Sequence, residues 1–372
     1  MKFKNINRVE GKMKVLIAPL DWGLGHATRC IPIIYELLSL NFEVMLAAEG
    51  DIKSLLQKEF PGLAFLPLRG YRVHYGKNKH WLSLGLLSQF PKLIRRIYLE
   101  NHWLKKTIRE HNIDAIISDN RLGLYHKTKP CVYITHQLKI KTGYRFTDWL
   151  AQKIHYFFIN KYSFCWVPDS ESENNLAGEL SHPQLLPKNP VYYLGPLSRF
   201  EKIKVEKKYN YLVLISGPEP QRTIFEELVL KELKKIQETV LFVRGLPGTE
   251  KTAKCENEKI EIHNHLSAAD LNKAIRQSHI VISRSGYTTI MDLIKLQQKA
   301  ILIPTPGQTE QEYLAEYLMQ KKIFFYIPQN NFTFHNAIKA MADFPFITIN
   351  TEQDMYKDVI RGFVEQIRQD DL

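Results

Sequence analysis

Short apolar runs alternate with helical patterns along this chain, and after a charged stretch beyond residue 200 the alternation starts again. Val15 to Ala18 reads as a strand, and after a glycine-bearing turn apolar residues recur at helical spacing from Ala27 to Leu40. Phe42 to Ala47 then reads as strand, Asp51 to Phe60 as helix and Leu63 to Leu66 as strand. Ile113 to Ile117, Cys131 to Ile134 and Phe164 to Val167 are further strand candidates. Glu201 to Asn210 (EKIKVEKKYN) is nearly free of core-forming residues and follows the expected junction. The second round has strands at Tyr211 to Ile215, Thr239 to Val243, Lys259 to Ile262, Ile280 to Ile282 and Ala300 to Ile303. Helices are expected at Glu219 to Ile236, Ala268 to Gln277, Thr288 to Leu296 and Gln311 to Gln320, and an amphipathic helix closes the pattern from about Glu352. Strands alternating with helices imply crossover units and a mostly parallel sheet. A chain of 372 residues exceeds one compact core. The expected class is therefore α/β: two doubly wound, Rossmann-like domains facing across a cleft. Residues 1–198 form the first and 199–351 the second, with the helix at 352–372 packing back on the first. Ligands of such folds lie outside the carboxyl ends of the strands.

Charge divides unevenly between the two rounds. Residues 1–198 hold 27 Lys and Arg against 16 Asp and Glu, whereas 199–372 hold 24 against 23. The basic excess suits an anionic partner or simple solubility. Between Trp81 and Arg109, apolar residues (Trp81, Leu82, Leu86, Leu87, Phe90, Ile94, Ile97) interleave with Lys92, Arg95, Arg96, Lys105, Lys106 and Arg109. That pattern fits a helix lying on an anionic membrane surface, or an ordinary helix with a solvated basic face. No run approaches the ~20 apolar residues of a membrane span, and no secretory leader is evident. The four cysteines form no close pairs, so neither disulfides nor a zinc site is expected. The chain reads as cytoplasmic, with no metal, no cofactor and no nucleic-acid partner.

Three loops carry candidate chemistry. The first turn, Asp21-Trp22-Gly23-Leu24-Gly25-His26-Ala27-Thr28-Arg29, combines two glycines with His26 and Arg29 at a helix start. Glycines allow close backbone approach, and the helix terminus offers N–H groups to an anion. Ser283-Arg284-Ser285-Gly286-Tyr287-Thr288-Thr289 follows a strand and opens a helix, so Ser285, Gly286, Thr288 and Thr289 suit a diphosphate. Asp292, two turns into that helix, suits a ribose diol; simple N-capping by Ser285 accounts for only one of the hydroxyls. Pro304-Thr305-Pro306-Gly307-Gln308-Thr309-Glu310-Gln311-Glu312 brings Gln308, Gln311 and Glu312 to the same sheet edge, as sugar recognition requires. Asp119 and Asn120 end a first-domain strand and are candidates to line an acceptor cleft, or else to cap a helix.

Together, RSG-x-x-T-x-x-D and P-x-x-GQ-x-EQE resemble the donor domain of GT-B glycosyltransferases, and most of all the MurG-like group that builds the lipid-linked disaccharide of peptidoglycan. The resemblance makes Gly23 to His26 the family's glycine loop, with His26 a candidate base. It makes Arg199, in Gly195-Pro196-Leu197-Ser198-Arg199, a diphosphate contact and Asp292 the ribose-binding acid. It sets Gln311 and Glu312 near the donor sugar, His265-Leu266 at the uracil, and His136 (Thr135-His136-Gln137-Leu138) on the acceptor side. The family's second glycine-rich loop is replaced by Ser216-Gly217-Pro218-Glu219-Pro220-Gln221-Arg222. Its prolines supply no N–H, and Gly217 with Arg222 is left to face a phosphate. Glu312 stands where the family has an amide, a departure that points away from the peptidoglycan enzyme itself.

The implied activity is inverting transfer of a sugar from a nucleotide-diphosphate sugar, uridine-linked, to a glycan or lipid-linked acceptor. The chain contains no Asp-x-Asp motif, so the transfer is expected to be metal-independent. A nucleotide-sugar hydrolase of the same fold (PseG-like, with a similar Gly-x-Gly-His and an arginine at Arg29) and a non-catalytic nucleotide-sugar-binding protein are the alternatives.

Overall fold

A computed structural model describes residues 12–71, 79–246, 257–350 and 354–370, as backbone alone at 79–90 and 369–370. The first half runs β1 (Lys14–Pro19), α1 (Leu24–Ser39), β2 (Glu43–Ala47), α2 (Gly50–Glu59), β3 (Ala64–Leu66), α3 (Lys79–His111), β4 (Ala115–Asp119), β5 (Cys131–Ile134), α4 (Arg145–Ile159), β6 (Phe164–Val167) and β7 (Val191–Tyr193). The second runs β8 (Tyr209–Leu214), α5 (Gln221–Leu233), β9 (Val240–Val243), β10 (Ile260–His263), α6 (Ala268–Gln277), β11 (Ser278–Ser283), α7 (Tyr287–Lys295), β12 (Ala300–Leu302), α8 (Thr309–Gln320), β13 (Phe325–Tyr326), α9 (Phe334–Met341) and α10 (Met355–Asp370).

These strands form two sheets, ordered β3-β2-β1-β4-β5-β6-β7 and β10-β9-β8-β11-β12-β13. Every pairing is parallel. Burial on both faces explains why β1 is apolar from Val15 to Pro19 rather than alternating with polar residues. Val15 and Ile17 pack with Ile31, Ile34 and Leu37 of α1. Leu16 and Ala18, on the opposite face, pack with Leu104 and Ile108 of α3. In each sheet the strand order reverses, between β1 and β4 and between β8 and β11. Crossovers leave such a point in opposite directions and open a crevice at the carboxyl ends.

The terminal helix α10 lies against α1 and β7. Its Phe363 ring sits 5.3 Å from Trp166 and 5.9 Å from Phe164. Helix α1 begins at Leu24, three residues before the apolar periodicity does, which puts His26 inside its first turn. The edge strands β7 and β13 have three and two residues, too few to show a period. Of the basic amphipathic segment, the side chains of Trp81, Leu82, Leu86, Leu87 and Phe90 lie outside the described residues.

Candidate active site

Gly23 closes the turn after β1 with φ 153°, and α1 follows at once. His26 and Arg29, three residues apart, share one face of that helix. Strand β4 lies beside β1 and ends at Asp119, so its carboxylate meets both side chains across the switch point. Arg29 Nε donates to Asp119 Oδ2 at 2.7 Å, and Arg29 Nη2 donates to Oδ1. His26 Nδ1 lies 3.2 Å from Asp119 Oδ1 and 2.9 Å from Arg29 Nη2. When Nδ1–H is donated to Asp119, Nε2 keeps its lone pair and is the basic nitrogen. Burial pushes the Asp119 carboxyl up, but Arg29 and His26 outweigh it and hold the group well below the usual carboxylate range. Burial lowers His26 below 6.5, with Asp119 opposing and Arg29 assisting, so the ring is neutral at physiological pH.

The same turn touches the second half. A Cβ at Gly25 would sit 2.7 Å from Thr288 Oγ1, and that hydroxyl donates to the Gly25 carbonyl at 3.3 Å. Glycine is needed there for close approach to the start of α7. After β5, His136 Nδ1 accepts from Arg29 Nη1 at 3.2 Å, and its Nε2 donates to Glu310 Oε1 at 2.7 Å. The His136 ring stacks on Tyr287 at 4.1 Å. Burial raises the Glu310 carboxyl, and His136 reverses the shift to a net lowering. Between the halves lies a cavity of about 380 Å³. His26, Asn120, His136, Thr288 and Glu310 give it polar points, and Leu93, Leu122 and Ile140 give it an apolar wall.

Several expected ligands are turned elsewhere. Asp119 is buried beneath His26 rather than lining the cleft. The Ser285 hydroxyl is buried and donates to the Gln311 carbonyl at 2.8 Å. Gln311 Oε1 accepts from Thr305 N–H at 2.9 Å, and Glu312 Oε1 accepts from Gly307 N–H at 2.8 Å, so this pair braces the loop after β12. Arg222 is held by groups of its own half. Its Nε donates to Glu219 at 2.6 Å, its Nη1 to Glu226 and the Arg244 carbonyl, and its Nη2 to Thr223. Gly217 (φ 106°) and Gly286 are open: a Cβ at either would meet nothing within 4 Å. Thr289, inside α7, and Gln308, the N-cap of α8, are half-buried.

Asp292 accepts from the Ser198 hydroxyl, and burial pushes its carboxyl up to about 7. Arg199 is a charge neighbour of Asp292 and lies 5.3 Å over the Phe200 ring; burial lowers its guanidinium. Neither lines the cavity beside His26. His265 is exposed, lowered by burial and then by Lys58 and Arg199, while Leu266 packs against the core. Glu310 and Tyr287 were not anticipated. The signal for Glu310 was helix phase: successive helical residues point about 100° apart, so an inward Gln311 turns Glu310 to the cleft.

Residues 212–354 match the glycosyltransferase family 28 C-terminal domain. An uncharacterized glycosyltransferase of Methanosarcina mazei is 23% identical over 83% of this chain and 84% of its own. The UDP-N-acetylglucosamine–N-acetylmuramyl-(pentapeptide) pyrophosphoryl-undecaprenol N-acetylglucosamine transferase of Clostridium botulinum is 22% identical over 89% and 96%. Among solved structures, the fold matches Acinetobacter baumannii MurG at a TM-score of 0.52 and 11% identity, covering 96% of this chain and all of that one. A glycosyltransferase of kitacinnamycin matches at 0.65 and 13%, covering 96% of each chain. With the glycine turn and its histidine in one half and a family 28 C-terminal domain in the other, the chain has the GT-B fold and is similar to the MurG-like glycosyltransferases.

Proposed function

We propose that the chain transfers a sugar with inversion from a uridine-diphosphate sugar to a hydroxyl of a lipid-linked or glycan acceptor, without a metal. The observation carrying this reading is His26 at the inter-domain cavity, its Nδ1 against Asp119 and the start of α7 opposite. His26 Nε2 takes the acceptor proton as the acceptor oxygen bonds to the anomeric carbon. The bond from that carbon to the diphosphate oxygen breaks on the opposite face, and its electron pair leaves with the diphosphate. The N–H groups at the start of α7, with Gly286 open before them, and Arg199 receive that charge. Asp292 takes the ribose, and His265-Leu266 the base. The Clostridium relative acts on a UDP-sugar by its name, which favours the uridine nucleotide. A thermal-shift screen of nucleotide sugars in EDTA tests the donor, since a ligand of the native state raises the midpoint. Stabilisation by UDP-sugars is expected; none by any nucleotide sugar would sink the reading.

Asp292→Asn should move two measurements in opposite directions. The folded carboxyl is raised to about 7, so its ionisation opposes folding as pH rises toward 7. Without ligand, the variant should unfold at a higher temperature than wild type, and by more at pH 8.5 than at pH 5.5. UDP should nevertheless bind it more weakly, by about 1–3 kcal/mol, for loss of charge-assisted bonds to ribose. Calorimetry showing unchanged UDP affinity would remove Asp292 from the donor site.

We also propose peripheral contact with an anionic membrane. No described helix is long and apolar enough to cross one. Exposed Ile94, Tyr98 and Leu99 of α3 stand with Arg95, Lys105 and Lys106, and exposed Phe146, Trp149 and Phe157 of α4 with Lys153 and Lys161. Lys153 Nζ lies 3.9 Å over the Trp149 ring and Lys161 Nζ 4.2 Å over Phe157, the mixture that interfacial helices use. The protein should float with anionic vesicles at low salt and be released at high salt. Absence from the vesicle fraction at low salt would leave these charges to solubility.

A further inference from the structure

Arg284 follows β11, next to the switch point of the second sheet, and is 1% exposed. Its Nη1 donates to the carbonyls of Ile303 at 3.2 Å and Pro304 at 3.1 Å, and its Nη2 to that of Gln221 at 3.2 Å. Phe225 lies 4.2 Å from its Cζ, and Nε has no partner. All of these partners are neutral. Among the described residues no carboxylate pairs with Arg284, and burial alone brings its guanidinium down to about 9. The other buried arginines differ: Arg29 pairs with Asp119, Arg121 with Glu100, and Arg222 with Glu219 and Glu226. An isolated charge in a protein interior carries a penalty of several kcal/mol. Bracing three carbonyls needs donors but no net charge, so the charge itself calls for an explanation.

Its position supplies one. The carbonyls it holds belong to the loop after β12 and the start of α5, and Arg284 itself begins the loop into α7. Three connections from the carboxyl edge of the sheet thus converge on this guanidinium. Two residues further along the same loop, Gly286 is open before the N–H groups at the start of α7, and Gly217, on the loop that follows the neighbouring strand β8, is open as well.

We infer that Arg284 is a positioning residue for the donor diphosphate: fixed beneath the loops by three carbonyls, its charge is the counter-charge to the anion on the α7 terminus, without touching it. This rests on the nucleotide-sugar reading above. Through protein of intermediate polarity, one charge acting over a few ångströms beyond contact is sufficient for about a tenfold effect on anion affinity.

The test compares UDP with uridine, which share everything but the diphosphate, by calorimetry on wild type, Arg284→Met and Arg284→Lys, with circular dichroism as the folding control. The preference for UDP over uridine should fall about tenfold in Arg284→Met, uridine affinity should change less than twofold, and Arg284→Lys should keep most of the preference. Equal loss of UDP and uridine binding would make Arg284 a loop brace only and overturn the inference. Should Arg284→Met fail to fold, Arg284→Gln, which keeps a donor for the carbonyls but not the charge, decides, and an unchanged preference for UDP over uridine in that folded variant overturns the inference. A wild type that binds neither UDP nor pyrophosphate refutes the donor reading, and the inference with it, whereas UDP binding without these shifts refutes Arg284 alone.

Discussion

Replacing His26 by alanine should lower turnover about 10²–10⁴-fold, the usual contribution of a positioned base, while UDP affinity changes by no more than a few-fold. The asymmetry follows from position. His26 belongs to the first half and faces the cavity, whereas in the proposed reading the donor rests on α7, Arg199 and Asp292 of the second. The ring is set for the task by its neighbours: in the tautomer that donates Nδ1–H to Asp119 Oδ1 the lone pair of Nε2 is free, and burial keeps the ring neutral. Because the His26 pKa is lowered, the base stays unprotonated to a pH below 6.5. The acid limb of kcat should therefore fall with an apparent pKa below 6.5 and vanish from the residual activity of His26→Ala. Turnover and UDP affinity measured on the one variant decide the role. Retained turnover refutes the base, and equal loss of both makes His26 a phosphate ligand.

Asp119→Ala should be the most damaging single change to folding near the site, at about 3–5 kcal/mol. Arg29 is 2% exposed and bonded twice to Asp119, so the change leaves a buried guanidinium facing an empty space. The carboxylate's folded pKa lies below its ordinary value, so the stability it contributes is present above about pH 4 and disappears as pH falls through the lowered value. Wild type and variant should thus differ at pH 7 and converge in strong acid. Denaturant melts at pH 7 are the check, and a loss under 1 kcal/mol would show that Arg29 finds another partner. Asp119→Asn keeps the volume, should cost less stability, and should still lose turnover, because the amide can hold His26 in the wrong tautomer.

These two residues also show what was legible in the sequence. Two rounds of alternation were enough to expect two parallel sheets, because the strands are short, mostly apolar runs that alternate with helical patterns. The glycine turn and His26 were legible for the same reason: they are local. Asp119 was visible only as the end of a strand. Its pairing with Arg29 spans 90 residues and exists because β1 and β4 are neighbours at the reversal of strand order. The second-half motifs lie on the expected loops, Thr288 faces the cavity, and several other side chains are turned to the protein's own groups. Ser285 and Gln311 point inward and hold the loops together, whereas Glu310, next to Gln311, reaches the cleft and meets His136 from the other half. Arg222 reads as a phosphate ligand from its loop, yet Glu226 one helical turn away claims it. Such choices depend on helix phase to within one residue, finer than apolar periodicity resolves.

The most direct test of the account is to follow the anomeric centre by proton NMR. Purified protein is incubated with α-configured UDP-sugars in EDTA, with and without a mixture of glycan and polar-lipid acceptors. The account predicts UDP release that depends on an acceptor and a new β-glycosidic signal, both lost in His26→Ala. Release of free sugar alone, whether or not acceptor is present, would make the protein a hydrolase, and no UDP release from any of the sugars would contradict the account.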